Sequence, residues 1–222
     1  MSLRKKFEDW AERMSKKYAP KVDTSKFNHP VAKKTEWAPL KRGGTNICTH
    51  ILDNSQRNKL IFKPTKGVLI FIGVFTVIGL IALIAPIVIL LNQDLKQWSL
   101  LFISFSFGGI FTSVSLLMFK NMAQQKVFDI FYSEYYTGKK KPHDLIPNKK
   151  NPLISFRDIE ALQILREHVR TNKTRYYSYE LNFVMKDAKR INIVDHGKIN
   201  QLREDAKILS MHIGTPVWDA TN

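Results

Sequence analysis

Residues 67–91 read GVLIFIGVFTVIGLIALIAPIVILL and residues 98–119 read WSLLFISFSFGGIFTSVSLLMF; neither run contains a charged side chain. As helices rising about 1.5 Å per residue they would reach about 37 Å and roughly 33 Å, enough to cross a bilayer core of about 30 Å with some tilt. The alternative is a buried hairpin in a soluble protein. Two adjacent uncharged runs above the length of about 18 residues that marks a membrane span argue against it. Pro86 removes one backbone hydrogen bond from the first helix and is expected to kink it, while Trp98 suits the headgroup layer at the start of the second.

Only NQDLKQ, residues 92–97, separates the two runs, so the helices form an antiparallel pair with no room for a domain on the far side. Sixteen Lys and Arg precede the first run, one lies in the loop and eighteen follow the second run. The positive-inside rule therefore places both long polar ends in the cytoplasm. Ser99, Ser106, Gly109 and Ser113 fall on one face of the second helix, a stripe of small residues that predicts close packing against the first helix at Gly73, Gly79 and Ala82. No charge lies inside either span, so a proton relay or ion path is poorly supported.

The chain as a whole carries a net charge of +16, which raises anionic lipid, nucleic acid or acidic proteins as partners. Basic residues crowding both flanks of an anchor are already explained by topology, which argues against nucleic acid. A single cysteine, Cys48, excludes an intramolecular disulfide, and no Cys/His spacing suggests structural zinc.

In residues 1–24, Leu3, Phe7, Trp10, Met14 and Tyr18 form the apolar face of an amphipathic helix. Arg4, Lys5, Lys6, Arg13, Lys16 and Lys17 surround it. Such a helix suits an anionic membrane surface or a protein groove, with Phe7, Trp10, Met14, Lys5, Lys6, Lys16 and Lys17 as contact residues. Residues 25–44, with Pro30 and Pro39 among lysines and threonines, read as an extended tether. Residues 45–64 read as a β-hairpin turning over DNSQRN, residues 53–58, and contributing to the domain that follows.

That domain is expected over residues 127–219. VFDIFYSEYY, residues 127–136, reads as a strand ahead of a basic turn. IEALQILREHV, residues 159–169, is ambiguous in period, but as a strand it turns Ala161, Gln163, Leu165 and Glu167 to one side. YYSYELNFVM (176–185) and RINIV (190–194) alternate clearly and predict an antiparallel pair across the turn at 186–189. Ile199, Leu202, Ala206, Leu209 and Ile213 then mark an amphipathic helix stopped by Gly214 and Pro216.

Strands in succession closed by one C-terminal helix follow the order of a pleckstrin-homology-like barrel. ISFRDIEALQIL, SYELNFVMKDAKRINIVDHG and INQLREDAKILSMHIGTPVWD, together with the helical hairpin, resemble the bacterial PH-like domains of small two-span inner-membrane proteins. The resemblance implies an architecture: a membrane α-helical hairpin with an α+β cytoplasmic domain, an antiparallel PH-like barrel closed by its helix. It also implies a binding module that engages a membrane-protein partner or a second copy, without a cofactor. It supplies no functional residues.

Chemistry is sparse. Asp195-His196-Gly197, with Glu204 and Asp205 beyond, is the most catalytic-looking cluster, but a polar trio between strand and helix is what helix capping requires. Cys48 has no base near it in sequence, and His168 and His212 lack metal-type partners. Lys139, Lys140 and Lys141 lie in a turn that could meet anionic headgroups. The sequence therefore predicts a non-enzymatic adaptor or accessory subunit of a larger inner-membrane complex. A lipid-responsive regulator is the second reading, and a membrane enzyme with an unfamiliar site the third.

Overall fold

A computed structural model describes residues 22–40, 43–92, 98–122, 124–138, 153–170 and 174–221. The chain forms two compact units, Met1–Phe62 with Lys126–Asn222, and Lys63–Gln125. The second unit is a pair of helices, α2 (Lys66–Asn92) and α3 (Trp98–Met122), each long and apolar enough to cross a membrane.

Close approach of the two helices depends on glycine. A Cβ on Gly108 would lie 2.8 Å from the Gly79 carbonyl oxygen, and one on Gly79 would lie 2.8 Å from the Thr112 nitrogen. Thr76 donates to Ser115 Oγ at 3.0 Å, and Phe75 stacks on Phe111 at 5.5 Å. The packed row on α3 is thus Gly108, Thr112 and Ser115. The expected stripe is rotated away: Ser99, Ser106 and Ser113 are exposed, and Cβ atoms on Gly109 and Gly73 would meet nothing within 4 Å. The stripe was one helical phase off because Thr76 and Phe75 select the neighbouring ridge.

The first unit is an α+β fold with two sheets. One has the order β1 (His50–Gln56), β2 (Lys59–Pro64), β3 (Lys126–Asp129), β4 (Glu134–Thr137), β5 (Ile154–Ser155). The other has the order β8 (Arg190–His196), β7 (Arg175–Met185), β6 (Ile159–Arg170), β9 (Val217–Asp219), with β9 parallel to β6. Alternation decides β6 and β7. Leu162 pairs Phe183 and Ile164 pairs Leu181 on the inner face, all fully buried. They join Phe62, Phe128 and Tyr135 of the first sheet, and Leu202, Ala206 and Leu209 of helix α4 (Ile199–Ile213), in one core. Gly214, at φ +72°, ends α4 in the left-handed conformation that glycine adopts freely.

These strands do not close into one barrel. β5 is two residues long and breaks into the 3-10 turn Phe156–Asp158, capped by Ser155 Oγ accepting the Arg157 N–H at 3.4 Å. The ladder is interrupted there, and at the other margin the segment ahead of β1 meets β8 by the isolated bridge Cys48↔His196 and not by a continuous ladder. The aromatic run at 127–136 is likewise two strands. Asp129 Oδ1 accepts the Tyr132 N–H at 3.3 Å and Ser133 takes φ +54°, which folds β3 back onto β4.

The stretch read as a tether is a packed strap. Thr24–Phe27 forms a 3-10 turn and α1 (Pro30–Lys34) a short helix, with Ala32 fully buried and Thr35 and Ala38 nearly so. Phe27 stacks on Trp37 at 4.9 Å, and both pack against Trp218 of β9. The prolines that suggested extension start a helix and space an irregular path instead.

Candidate functional site

The strap covers the outer face of β6, β7 and β8, which is apolar at Ala161 and Val184 and polar beyond them. Gln163, Glu180 and Asn182 project from it yet are buried, to 1% exposure or less. Burial of such groups is tolerated only when they are hydrogen-bonded; the strap backbone supplies partners for Gln163 and Glu180, and Asn182 is held by Glu180 and by Asn192 Nδ2, which donates to its Oδ1 at 3.1 Å. Gln163 Nε2 donates to the Glu36 carbonyl (3.1 Å), and Glu180 Oε2 accepts the Leu40 N–H (2.9 Å) and Asn182 Nδ2 (3.1 Å). Glu167 accepts the N–H groups of Gly43 and Gly44, both at 2.9 Å, and Tyr176 donates to the Gly44 carbonyl at 2.8 Å. Arg190 donates to the Ala38 carbonyl at 2.6 Å and lies 3.4 Å from Glu36 Oε2. These groups act as a latch for one backbone segment.

Beyond the strap the chain delivers Cys48 against β8. Cys48 Sγ lies 2.9 Å from His196 Nε2, a contact between residues 148 apart that no local spacing could reveal. His196 Nδ1 is 2.9 Å from both the amide nitrogen and the carbonyl oxygen of Lys198; accepting from the amide leaves the ring proton on Nε2, facing the thiol. Burial pushes the thiol pKa up, with the Lys198 charge opposing and Asp205 adding, and burial pushes the imidazole pKa down. Both groups are therefore neutral near pH 7, the opposite of a thiolate–imidazolium pair. The contact joins the segment ahead of β1 to β8, a neutral thiol against a neutral imidazole.

The trio before α4 does not cap it. Asp195 Oδ1 accepts Asn192 Nδ2 (2.9 Å), and the N-cap residue of α4 is Lys198, without a side-chain cap. Asp205, in the second turn of α4, is 2% exposed; Gln201 donates to its Oδ1 at 3.0 Å and its Oδ2 has no hydrogen-bond partner. Burial raises its pKa to about 6 from 3.8. The folded state thus binds a proton more tightly than the unfolded chain, so stability falls as pH rises from about 4 through 6. Asp205→Asn is expected to add on the order of 2–3 kcal/mol at pH 7.5 and nothing at pH 4. Urea unfolding of both proteins at the two pH values measures this, and a gain equal at both would remove the ionised carboxylate as its cause.

His168 stands exposed on β6, with its ring 5.0 Å from Tyr177, and His212 Nδ1 lies 2.8 Å from the Ile208 carbonyl. Among the described residues no group of His, Cys, Asp and Glu could hold a metal ion. Lys5, Lys6, Phe7, Trp10, Met14, Lys16 and Lys17 of the amphipathic segment, and Lys139, Lys140 and Lys141, lie outside the described residues. Comparison with protein-family models, curated proteins and solved structures finds no match to this chain.

Proposed function

We propose that the chain is a membrane-anchored binding module, held by α2 and α3 in a bacterial inner membrane with both polar ends in the cytoplasm. Its PH-like α+β unit serves as an adaptor or accessory subunit of a larger membrane complex. The observation that carries the reading is the outward face of the helix pair. Ile70 is 66% exposed, Phe102 75% and Ile110 61%, along two helices without an internal charge. A surface of that kind far exceeds the apolar patches that soluble monomers tolerate, and a bilayer is the solvent that suits it.

Binding is favoured over catalysis because Gln163, Glu167, Glu180 and Arg190 of the four-stranded sheet already bond the strap, and the thiol and imidazole rest in neutral forms. After alkaline carbonate extraction of native membranes, the chain is expected to stay in the pellet and to be released by detergent; release by carbonate would sink the anchor. Purification in mild detergent followed by mass spectrometry is expected to recover a stoichiometric membrane-protein partner or a homo-oligomer. A lone monomer would sink the adaptor role.

A further inference from the structure

The β6–β7 hairpin sorts its charges between its two faces. Its carboxylates turn to the strap: Glu167 and Glu180 accept backbone N–H groups, and Glu160 lies 3.1 Å from His29 Nε2. The alternate positions Arg166, His168 and Arg170 of β6 pair with Tyr179, Tyr177 and Arg175 of β7, continuing the row that begins with Leu162–Phe183 and Ile164–Leu181 in the core. Beyond Ile164 this row leaves the core, and Arg166, His168, Arg170, Arg175 and Tyr177 are all exposed. Arg166 lies over the Tyr177 ring, 5.1 Å from its centroid, and the His168 ring approaches the same tyrosine.

None of the three guanidinium groups makes an ion pair among the described residues. Arg170 and Arg175 stand directly opposite one another, a like-charge pair that is unfavourable in a sheet unless an anion lies between them. With positions two apart on a strand separated by about 6.8 Å, the arginines span roughly 13 Å, the footprint of several anionic groups on a surface and not of one small anion.

We infer that this face of the β6–β7 hairpin docks onto an anionic lipid surface, Arg166, Arg170 and Arg175 meeting phosphate groups and Tyr177 entering the headgroup layer, while Tyr179 stays packed on the core. The inference rests on the membrane-anchored reading, because an anchored domain meets lipid at a far higher effective concentration than any dissolved polyanion. Tyrosine mixed with arginine is also the composition of membrane–water interfaces.

The test uses the full chain in nanodiscs of zwitterionic lipid, captured in trans by vesicles in which about one lipid in three is phosphatidylglycerol. The triple variant Arg166→Ala, Arg170→Ala, Arg175→Ala, checked for fold by circular dichroism, is expected to lose about a hundredfold in apparent affinity. High salt is expected to abolish the wild-type capture. A second triple variant, Lys33→Ala, Lys186→Ala, Lys207→Ala, removes the same charge from other exposed positions and is expected to lose less than about threefold. Equal loss in the two variants would reduce the effect to net charge and overturn the site. Equal capture of the wild type by zwitterionic vesicles would overturn it too, as would displacement of the vesicles by a single-stranded RNA oligonucleotide that binds the arginine face more tightly. If the chain does not enter nanodiscs, the anchored reading fails separately, and the same capture run on the free chain still decides the arginine face.

Discussion

Replacing Trp218 by alanine is expected to cost about 3–5 kcal/mol of unfolding stability, the range for deleting a large aromatic from a packed site. Trp218 is 2% exposed on the edge strand β9, where it pairs with Gln163 of β6. Its ring stands 5.7 Å from Phe27, 5.5 Å from His29 and 6.2 Å from Trp37, all three in the strap. The buried companions Ala32, Ala161 and Val184 are small or stiff and close such a cavity poorly. The loss falls on one side of the strap, while the latch at Glu167, Glu180 and Arg190 still holds the other. Cleavage by trypsin after Lys33 or Lys34 in α1 is therefore expected to accelerate at least about tenfold, while the β7–β8 hairpin stays protected. Urea unfolding and a cleavage time course read the two effects. A stability change under about 1 kcal/mol would show that the latch alone carries the strap.

Gly197→Ala is expected to be nearly as damaging, about 3–4 kcal/mol, for a different reason. A Cβ at this position would lie 2.1 Å from both the carbonyl carbon and the oxygen of Asn46 and 2.6 Å from the Ile47 nitrogen. Those are backbone atoms and cannot rotate aside. Relief requires the segment leading into β1 to withdraw, which breaks the Gly197 N–H bond to the Ile47 carbonyl (3.0 Å) and the Thr49 hydroxyl bond to the Asp195 carbonyl (2.8 Å). The same withdrawal pulls Cys48 from His196. The variant should therefore react faster with iodoacetamide at pH 7.5 as well as unfold at lower urea. Wild-type reactivity together with a wild-type midpoint would show that residues 46–48 have slack that the observed packing does not suggest.

The parts of this fold visible in the sequence are those written by local periodicity. Two uncharged runs give α2 and α3, the alternation of YYSYELNFVM and RINIV gives β7 and β8, and Leu202, Ala206 and Leu209 with Gly214 give α4 and its stop. Ala161, Gln163 and Glu167 were also expected on one side of β6; all three meet the strap. What escaped depends on partners far along the chain. Phe27, Ala32 and Trp37 have no helical or strand period, and they bury only because Trp218 and Val184 arrive from the other end. Cys48 looked solitary for the same reason. The division into two sheets turns on a two-residue strand and a serine-capped turn, signals too short to stand out from any loop.

The helix pair occupies the connection of a β-hairpin, since β2 pairs antiparallel with β3 from Lys59↔Asp129 to Phe62↔Lys126. During translation, this arrangement completes the strap and β1–β2 well before the four-stranded sheet that the strap covers. The strap and β1–β2 are complete once Pro64 is added, yet the four-stranded sheet is not finished until Asp219. At about 5–20 residues per second, that interval is roughly 8–30 s, during which Phe27 and Trp37 of the strap lack Trp218, while β2 waits roughly 3–13 s for β3. The helices between them must meanwhile partition into their own environment. The speed of synthesis downstream of the strap therefore sets how long Phe27 and Trp37 wait for Trp218.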